Sequence, residues 1–175
     1  DALDRIWTNL EHEDRYVRFA ARIALEHLDS QLWASRALNE SKPDVAIGSL
    51  LALSRTAGDD NKDAIVDALI GLPRKPLNDR QRVDLLRTLG VTFARHGRPD
   101  QQAAAQLIEV LEPQVPAKST ALNHELCRLL VYLKSDRIVS DAVQLMAASV
   151  TQEDLLAYGM MLRVAEHGWT DVARR

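Results

Sequence analysis

The 175-residue sequence predicts an all-α fold, about five helical hairpins arranged as an α-α superhelix in a single domain over residues 1–175. Three observations carry that prediction. Apolar residues make up 46% of the chain, while glycines (seven), prolines (six) and aromatic residues (5%) are few; this composition favours helices over the many turns of a β fold. Helical stretches follow one another with very short breaks, each holding a proline, a glycine or a capping Ser, Thr, Asp or Asn. A polar junction recurs at Asp29, Asp59, Asp100, Asp136 and Asp171, at intervals of 30 to 41 residues. That is the period of two-helix repeats that bury their faces on their neighbours.

The punctuation places helices over 2–11, 14–28, 31–39, 43–56, 61–71, 79–96, 99–111, 120–134, 137–148 and 152–167, with a last one opening near Thr170. In 14–28, Val17, Ala21, Ala24 and Leu28 form one apolar stripe and Tyr16, Phe19 and Ile23 another, which predicts neighbours on both sides. Arg15, Arg18, Arg22 and Glu26 form the polar edge, and the i,i+4 pair Arg22–Glu26 keeps it solvated. Similar double faces are expected in 45–53, 83–94, 126–133 and 155–164. Ala20, Ala21, Ala24, Gly48, Ala52 and Gly90 would permit close helix approach. In the loop 72–78 two prolines stop one helix, Pro76 holds Lys75 extended, and Asn78 caps the next helix. Thr151 with Asp154 approximates a capping box for 152–167.

Charge and motif content exclude several classes of function. With 22 Lys+Arg against 25 Asp+Glu, a net charge of −3 gives no global attraction to nucleic acid or anionic lipid. A single cysteine and five histidines leave no disulfide scaffold or zinc framework. Apolar runs are far shorter than the roughly 20 residues of a membrane span. There is no H-E-x-x-H, no pair of histidines at i,i+4, no C-x-x-C-H and no glycine-rich phosphate loop. No catalytic residue, metal site or cofactor is therefore expected. His27, His96 and His167 fall at the ends of second helices, where imidazolium complements the helix dipole. His124 is expected to make a structural hydrogen bond, and Cys127, among Leu126, Leu129, Leu130 and Val131, reads as a buried core thiol. Trp7, Trp33 and Trp169 read as packing residues of first helices, and the carboxylate pairs Asp59–Asp60 and Glu153–Asp154 as helix-start charges.

At residues 14–25 the line Asp14-Arg15-Tyr16-Val17-Arg18-Phe19-Ala20-Ala21-Arg22-Ile23-Ala24-Leu25 resembles the D-x-x-V-R-x-x-A-x-x-A-L pattern of HEAT repeats, including the short variety of phycobilisome lyase-like proteins. The resemblance implies an armadillo-type arrangement in which Asp14 opens the second helix and Arg18 makes polar contacts along the stack. In the next hairpin Lys42 and Ala46 stand at those two positions, so the polar ladder is not continued. A longer resemblance, carried by 14–28, 122–133, 151–158, Leu162-Arg163 and Gly168-Trp169-Thr170, is to the helical repeat region of large exported proteins of planctomycetes and their relatives that carry dehydrogenase-like propeller and c-type haem domains. It implies a periplasmic or cell-envelope location and a redox or carbohydrate-related parent. The start at Asp1 and the end at Arg174-Arg175 fit a piece of such a longer polypeptide.

The function expected from these readings is a non-catalytic scaffold or interaction module for a protein partner or a sister domain. Its binding would be spread over edge residues, Arg15, Arg18, Arg22, Arg80 and Arg87, because stacked hairpins make long faces without a natural pocket. The alternative is a nucleic-acid-binding solenoid. Residues 74–98 hold seven basic side chains against Asp79 and Asp84, Arg80 and Arg87 share a helix face, and Arg82 points elsewhere. Against it, Phe93 is the only aromatic in that segment and reads as core.

Overall fold

Ten α-helices and no strand are found among the described residues of a computed structural model that covers residues 2–171, 173 and 174, with Asp59 as backbone only. The expected junction and carboxylate at Asp59 therefore lie outside the described side chains. The chain divides into two compact units, Asp1–Pro99 and Asp100–Arg175.

The first unit holds α1 (Ala2–Asn9), α2 (Arg15–Glu26), α3 (Ala34–Leu38), α4 (Pro43–Thr56), α5 (Lys62–Gly71) and α6 (Asp79–His96). Helix α4 packs against α2, α3, α5 and α6, while α1 packs on α2 and α5 on α6. Eight of the fourteen residues of α4 are buried, including Val45, Leu50 and Leu53, as its double face requires. Two buried hydroxyls join α4 to α6: Ser54 Oγ lies 2.8 Å from Thr92 Oγ1. The carbonyl of Ser54 also meets His96 Nε2 at 2.9 Å, so His96 bridges helices as well as ending one. His27 is the C-cap of α2, as expected.

Capping follows the sequence closely in this unit. Asp14 Oδ1 accepts from the Tyr16 amide at 2.7 Å and opens α2. Asn78 and Gln81 form a reciprocal capping box at the start of α6, with bonds of 2.9 and 3.1 Å. The Gln81 amide continues to Asp44 Oδ2 at 2.7 Å, which ties the start of α6 to the first turn of α4. The helix expected over 31–39 is instead a 3-10 turn, Ser30–Leu32, capped by Asp29, followed by α3. Trp33, at φ −137°, breaks the helix between them, and its indole is buried.

The second unit holds α7 (Gln101–Leu111), α8 (Thr120–Tyr132), α9 (Ile138–Ala147) and α10 (Gln152–Arg163). Asp100, Ser119 and Thr151 cap α7, α8 and α10 with their side chains. Helix α8 packs against α7, α9 and α10 and buries Leu122, Leu126, Cys127, Leu129 and Leu130. Buried Asn123 clamps the preceding loop, accepting from the Ala117 amide at 2.7 Å and donating to the Ala117 carbonyl at 2.9 Å.

Several expectations are corrected. Helix α10 stops at Arg163, so His167 is not at a helix end and Trp169 is not in a helix. The Trp169 indole N–H donates to the Ala165 carbonyl at 2.9 Å. At Gly168, φ is +81° and a Cβ would lie 2.5 Å from the Asp136 carbonyl oxygen, so the chain turns tightly against a neighbouring backbone. Near Thr170 there is a turn, held by bonds from Ala173 and Arg174, and Val172 and Arg175 lie outside the described residues. The double face of α10 is also absent, since Leu155, Leu156, Met160 and Val164 are exposed. Gly48 does allow a close approach, because its missing Cβ would touch Leu10 at 3.4 Å, whereas Gly90 faces open space and Ala20 is exposed.

The capping box makes a direct prediction. Asn78→Ala should cost about 1 kcal/mol, read in thermal unfolding followed by circular dichroism as a Tm lowered by roughly 2 to 4 °C, while Asn78→Asp should stay near wild type.

Candidate functional site

The five arginines singled out in the sequence line one groove in the first unit. Arg15, Arg18 and Arg22 come from α2 and Arg80 and Arg87 from α6, around a cavity of about 440 Å³ whose floor is supplied by α4. A pocket is thus present where a featureless long face was expected. Helix α4 lies between α2 and α6 and contributes Asp44, Ile47, Gly48 and Leu51 to the lining, joined by Leu10 from the turn after α1.

Each arginine is held differently. Arg18 donates to the carbonyls of His12 (2.6 Å) and Glu13 (2.8 Å), so it fastens the turn before its own helix rather than a neighbouring repeat. Arg22 pairs with Glu26, which also accepts Arg55 at 3.0 Å. This pair is largely buried, not a solvated edge, so its geometry is more constrained than that of an exposed i,i+4 pair. Arg15 donates to the Tyr16 hydroxyl at 2.7 Å and lies over its ring. Arg80 reaches Asp44 at 2.6 Å and Asp84 at 3.2 Å. Partial burial pulls the Arg80 guanidinium down, but the bond and charge of Asp44, with Asp84 behind it, hold it above its ordinary value.

Tyr16 and Phe19, expected to face a neighbouring helix, are instead 66% and 58% exposed. Both are bracketed by arginines, with Arg22 stacked 5.0 Å from the Phe19 centroid. Cation–π contact keeps such rings at the surface without a hydrocarbon neighbour. Phe19 lines the groove wall. The carboxylate of Asp44 escaped the sequence reading, which takes Asp84 only as a counter-charge of the basic segment; the proximity of Arg15, Arg18 and Arg22 to Tyr16 and Phe19 along one helix is the signal that marks this face.

The basic segment 74–98 does not form one stripe. Lys75 donates to the Ser41 carbonyl at 2.7 Å, Arg82 turns toward Asp79 at 3.6 Å, and only Arg80 and Arg87 reach the groove. Phe93 is core.

In the second unit the candidate reactive groups are packed inside. His124 Nε2 lies 3.2 Å from Asp154 Oδ1, an ion-pair distance without hydrogen-bond alignment, and its ring meets Tyr158 edge to face at 4.9 Å. In place of the expected structural hydrogen bond there is a close imidazole–carboxylate contact and a ring contact, both linking α8 to α10. Burial, with Asp141 adding to it, pushes the Cys127 thiol up to about 12, and burial likewise pushes the Tyr158 phenol to about 12, with smaller contributions from Cys127 and Asp154. A thiol protonated at neutral pH is a poor nucleophile. No cluster of three or more potential metal ligands occurs among the described residues, and no described helix is long and apolar enough to cross a membrane.

The chain matches no family model, no curated protein and no solved structure.

The two raised pKa values fix a pH dependence. Unfolding returns Cys127 to about 9.0 and Tyr158 to about 10.0, so above those values the unfolded state binds fewer protons than the folded one. Their contribution to stability is complete below pH 9 and is lost as pH rises toward about 12. Urea midpoints should fall with rising pH from about 9, and in Cys127→Ala the onset should move toward 10, where Tyr158 alone acts; identical pH profiles for the two proteins would contradict the assignment.

Proposed function

We propose that this chain is a non-catalytic, HEAT-like interaction module within a larger exported protein, and that the α2–α4–α6 groove is its partner-binding surface. The convergence of five arginines from two separate helices on one groove carries the reading. Guanidinium groups held by neighbouring side chains and carbonyls are pre-organised, which lowers the entropic cost of binding an anionic partner. Exposed Tyr16 and Phe19 beside them add the aromatic–arginine composition enriched in protein interfaces.

The repeat part of the proposal is supported by contact order within the first unit. Helix α2 meets α4 and α4 meets α6, while α1 sits on its hairpin mate α2 and α5 on its mate α6 and on α4 and α3 of the preceding hairpin. Such nearest-neighbour packing is how stacked hairpins bury their faces. A periplasmic or envelope setting, with catalysis assigned to other domains of the parent, follows from the resemblance alone and belongs to the same proposal.

The test is capture by the immobilised chain from an extract of the source organism, with wild type and the charge-reversed double variant Arg15→Glu/Arg87→Glu compared by quantitative mass spectrometry. Both positions are exposed, and circular dichroism and Tm of the variant are recorded so that a loss of capture is read only on a folded chain. At least one protein should be retained by wild type and reduced about tenfold or more by the variant, a loss equivalent to about 1.4 kcal/mol. A capture profile indifferent to the double substitution would remove the groove from the function.

A further inference from the structure

Helix α10 carries an unpartnered apolar stripe whose two ends bear opposite charges. Leu156 and Met160, one turn apart, are 67% and 66% exposed, with Leu155 beside them and Val164 just past the helix end also open to solvent. A contiguous apolar stripe rimmed by polar residues marks an interaction face. Gly159 lies on the same side, next to Leu156, in the helix interior. A Cβ there would meet nothing within 4 Å, so no contact inside the chain calls for the weakest helix former other than proline. The close approach of a second backbone does.

Three residues before Leu156 stands Glu153, and three residues after Met160 stands Arg163. Both side chains are exposed, and neither takes part in an ion pair or a side-chain hydrogen bond among the described residues. The pairs Glu153–Arg163 and Leu156–Met160 share one midpoint, at the level of Tyr158. A single two-fold axis at that level therefore brings each member of both pairs opposite its complement on an antiparallel copy of the helix.

We propose that this face of α10 is a homodimer interface, an antiparallel two-fold pairing in which Leu156 of each copy packs on Met160 of the other and Glu153 of each copy meets Arg163 of the other. The inference goes beyond the groove reading and concerns the second unit alone. An isologous interface has to be self-complementary, and this stripe is so in hydrocarbon and in charge at one register. A partner of a single charge would match one end of the stripe and oppose the other, and an anionic lipid surface would be repelled at Glu153. An acid in the first turn and a base in the last also suit the helix dipole, which accounts for their signs but not for the exposed apolar residues placed symmetrically between them. One helix of twelve residues buries less than a standard interface, so the dimer is a weak, reversible one.

The experiment is sedimentation equilibrium of the whole chain from about 1 μM to about 1 mM, the range of small interfaces. Wild type should show a reversible monomer–dimer equilibrium, and Leu156→Ser/Met160→Ser should be monomeric throughout. Glu153→Arg sets arginine against arginine and Arg163→Glu sets glutamate against glutamate, twice in each dimer, so each should weaken association about tenfold or more. The double variant Glu153→Arg/Arg163→Glu restores opposite charges across the axis and should associate about tenfold more tightly than either single variant. Circular dichroism checks that each variant keeps its helix content; should a reversal disturb it, Glu153→Gln and Arg163→Gln, which remove the attraction without reversing it, should each weaken the dimer about threefold. A wild-type chain that stays monomeric overturns the proposal and gives the stripe to a different occupant. So does a dimer indifferent to the serine pair, or a double variant no tighter than the single ones, which would place the contact elsewhere or in another register. None of these outcomes touches the groove of the first unit, whose test is capture.

Discussion

The burial of α4 on several sides is the constraint on which the first unit depends. A helix with Val45, Ile47, Leu50 and Leu53 pointing in several directions cannot be satisfied by one neighbour. It is flanked by α2 and α6 and backed by α3 and α5. The hydroxyl pair Ser54–Thr92 and the His96 contact supply buried polar partners where α4 meets α6, so that interface has a defined register as well as apolar area. Because α4 keeps α2 and α6 apart, the groove between them follows from the same packing that stabilises the unit.

The arginines then acquire different roles from similar sequence surroundings. Arg18 is spent on the turn carbonyls and, together with the Asp14 cap, fixes how α2 starts. Arg80 is fixed by Asp44, which is itself held by Gln81 of the capping box, so the helix start at Asn78 and the groove wall form one connected network. Arg22 and Arg55 share Glu26. A rim assembled this way is held by specific bonds, which separates it from a scatter of solvated surface charges.

In the second unit the polar and reactive groups serve the interior. Asn123 satisfies a loop backbone, His124 and Asp154 link α8 to α10, and Cys127 and Tyr158 lie among hydrocarbon that suppresses their ionisation. One face of α10 nevertheless keeps Leu156 and Met160 in water, continued by Val164 just past its end.

Asp100, read as lying inside a helix over 99–111, is the cap of α7, whereas helix content, most helix boundaries, the opening of α2 at Asp14, the caps at Asn78 and Thr151, and the buried state of Cys127 were legible in the sequence. They depend on local periodicity and on side chains reaching backbone groups two or three residues away. The five groove arginines were legible as individuals for the same reason: each sits on the polar side of its own helix. Sequence periodicity also misassigned Tyr16, Phe19, Leu156 and Met160, because an apolar stripe records what a helix offers and not whether a neighbour accepts it. Only the tertiary structure decided that α2 and α6 face one another across α4, that Asp44 falls to Arg80, and that Leu10 meets the residues of α4 in the space left. Those outcomes are set by side-chain volume and charge between residues more than thirty positions apart, which no local pattern encodes.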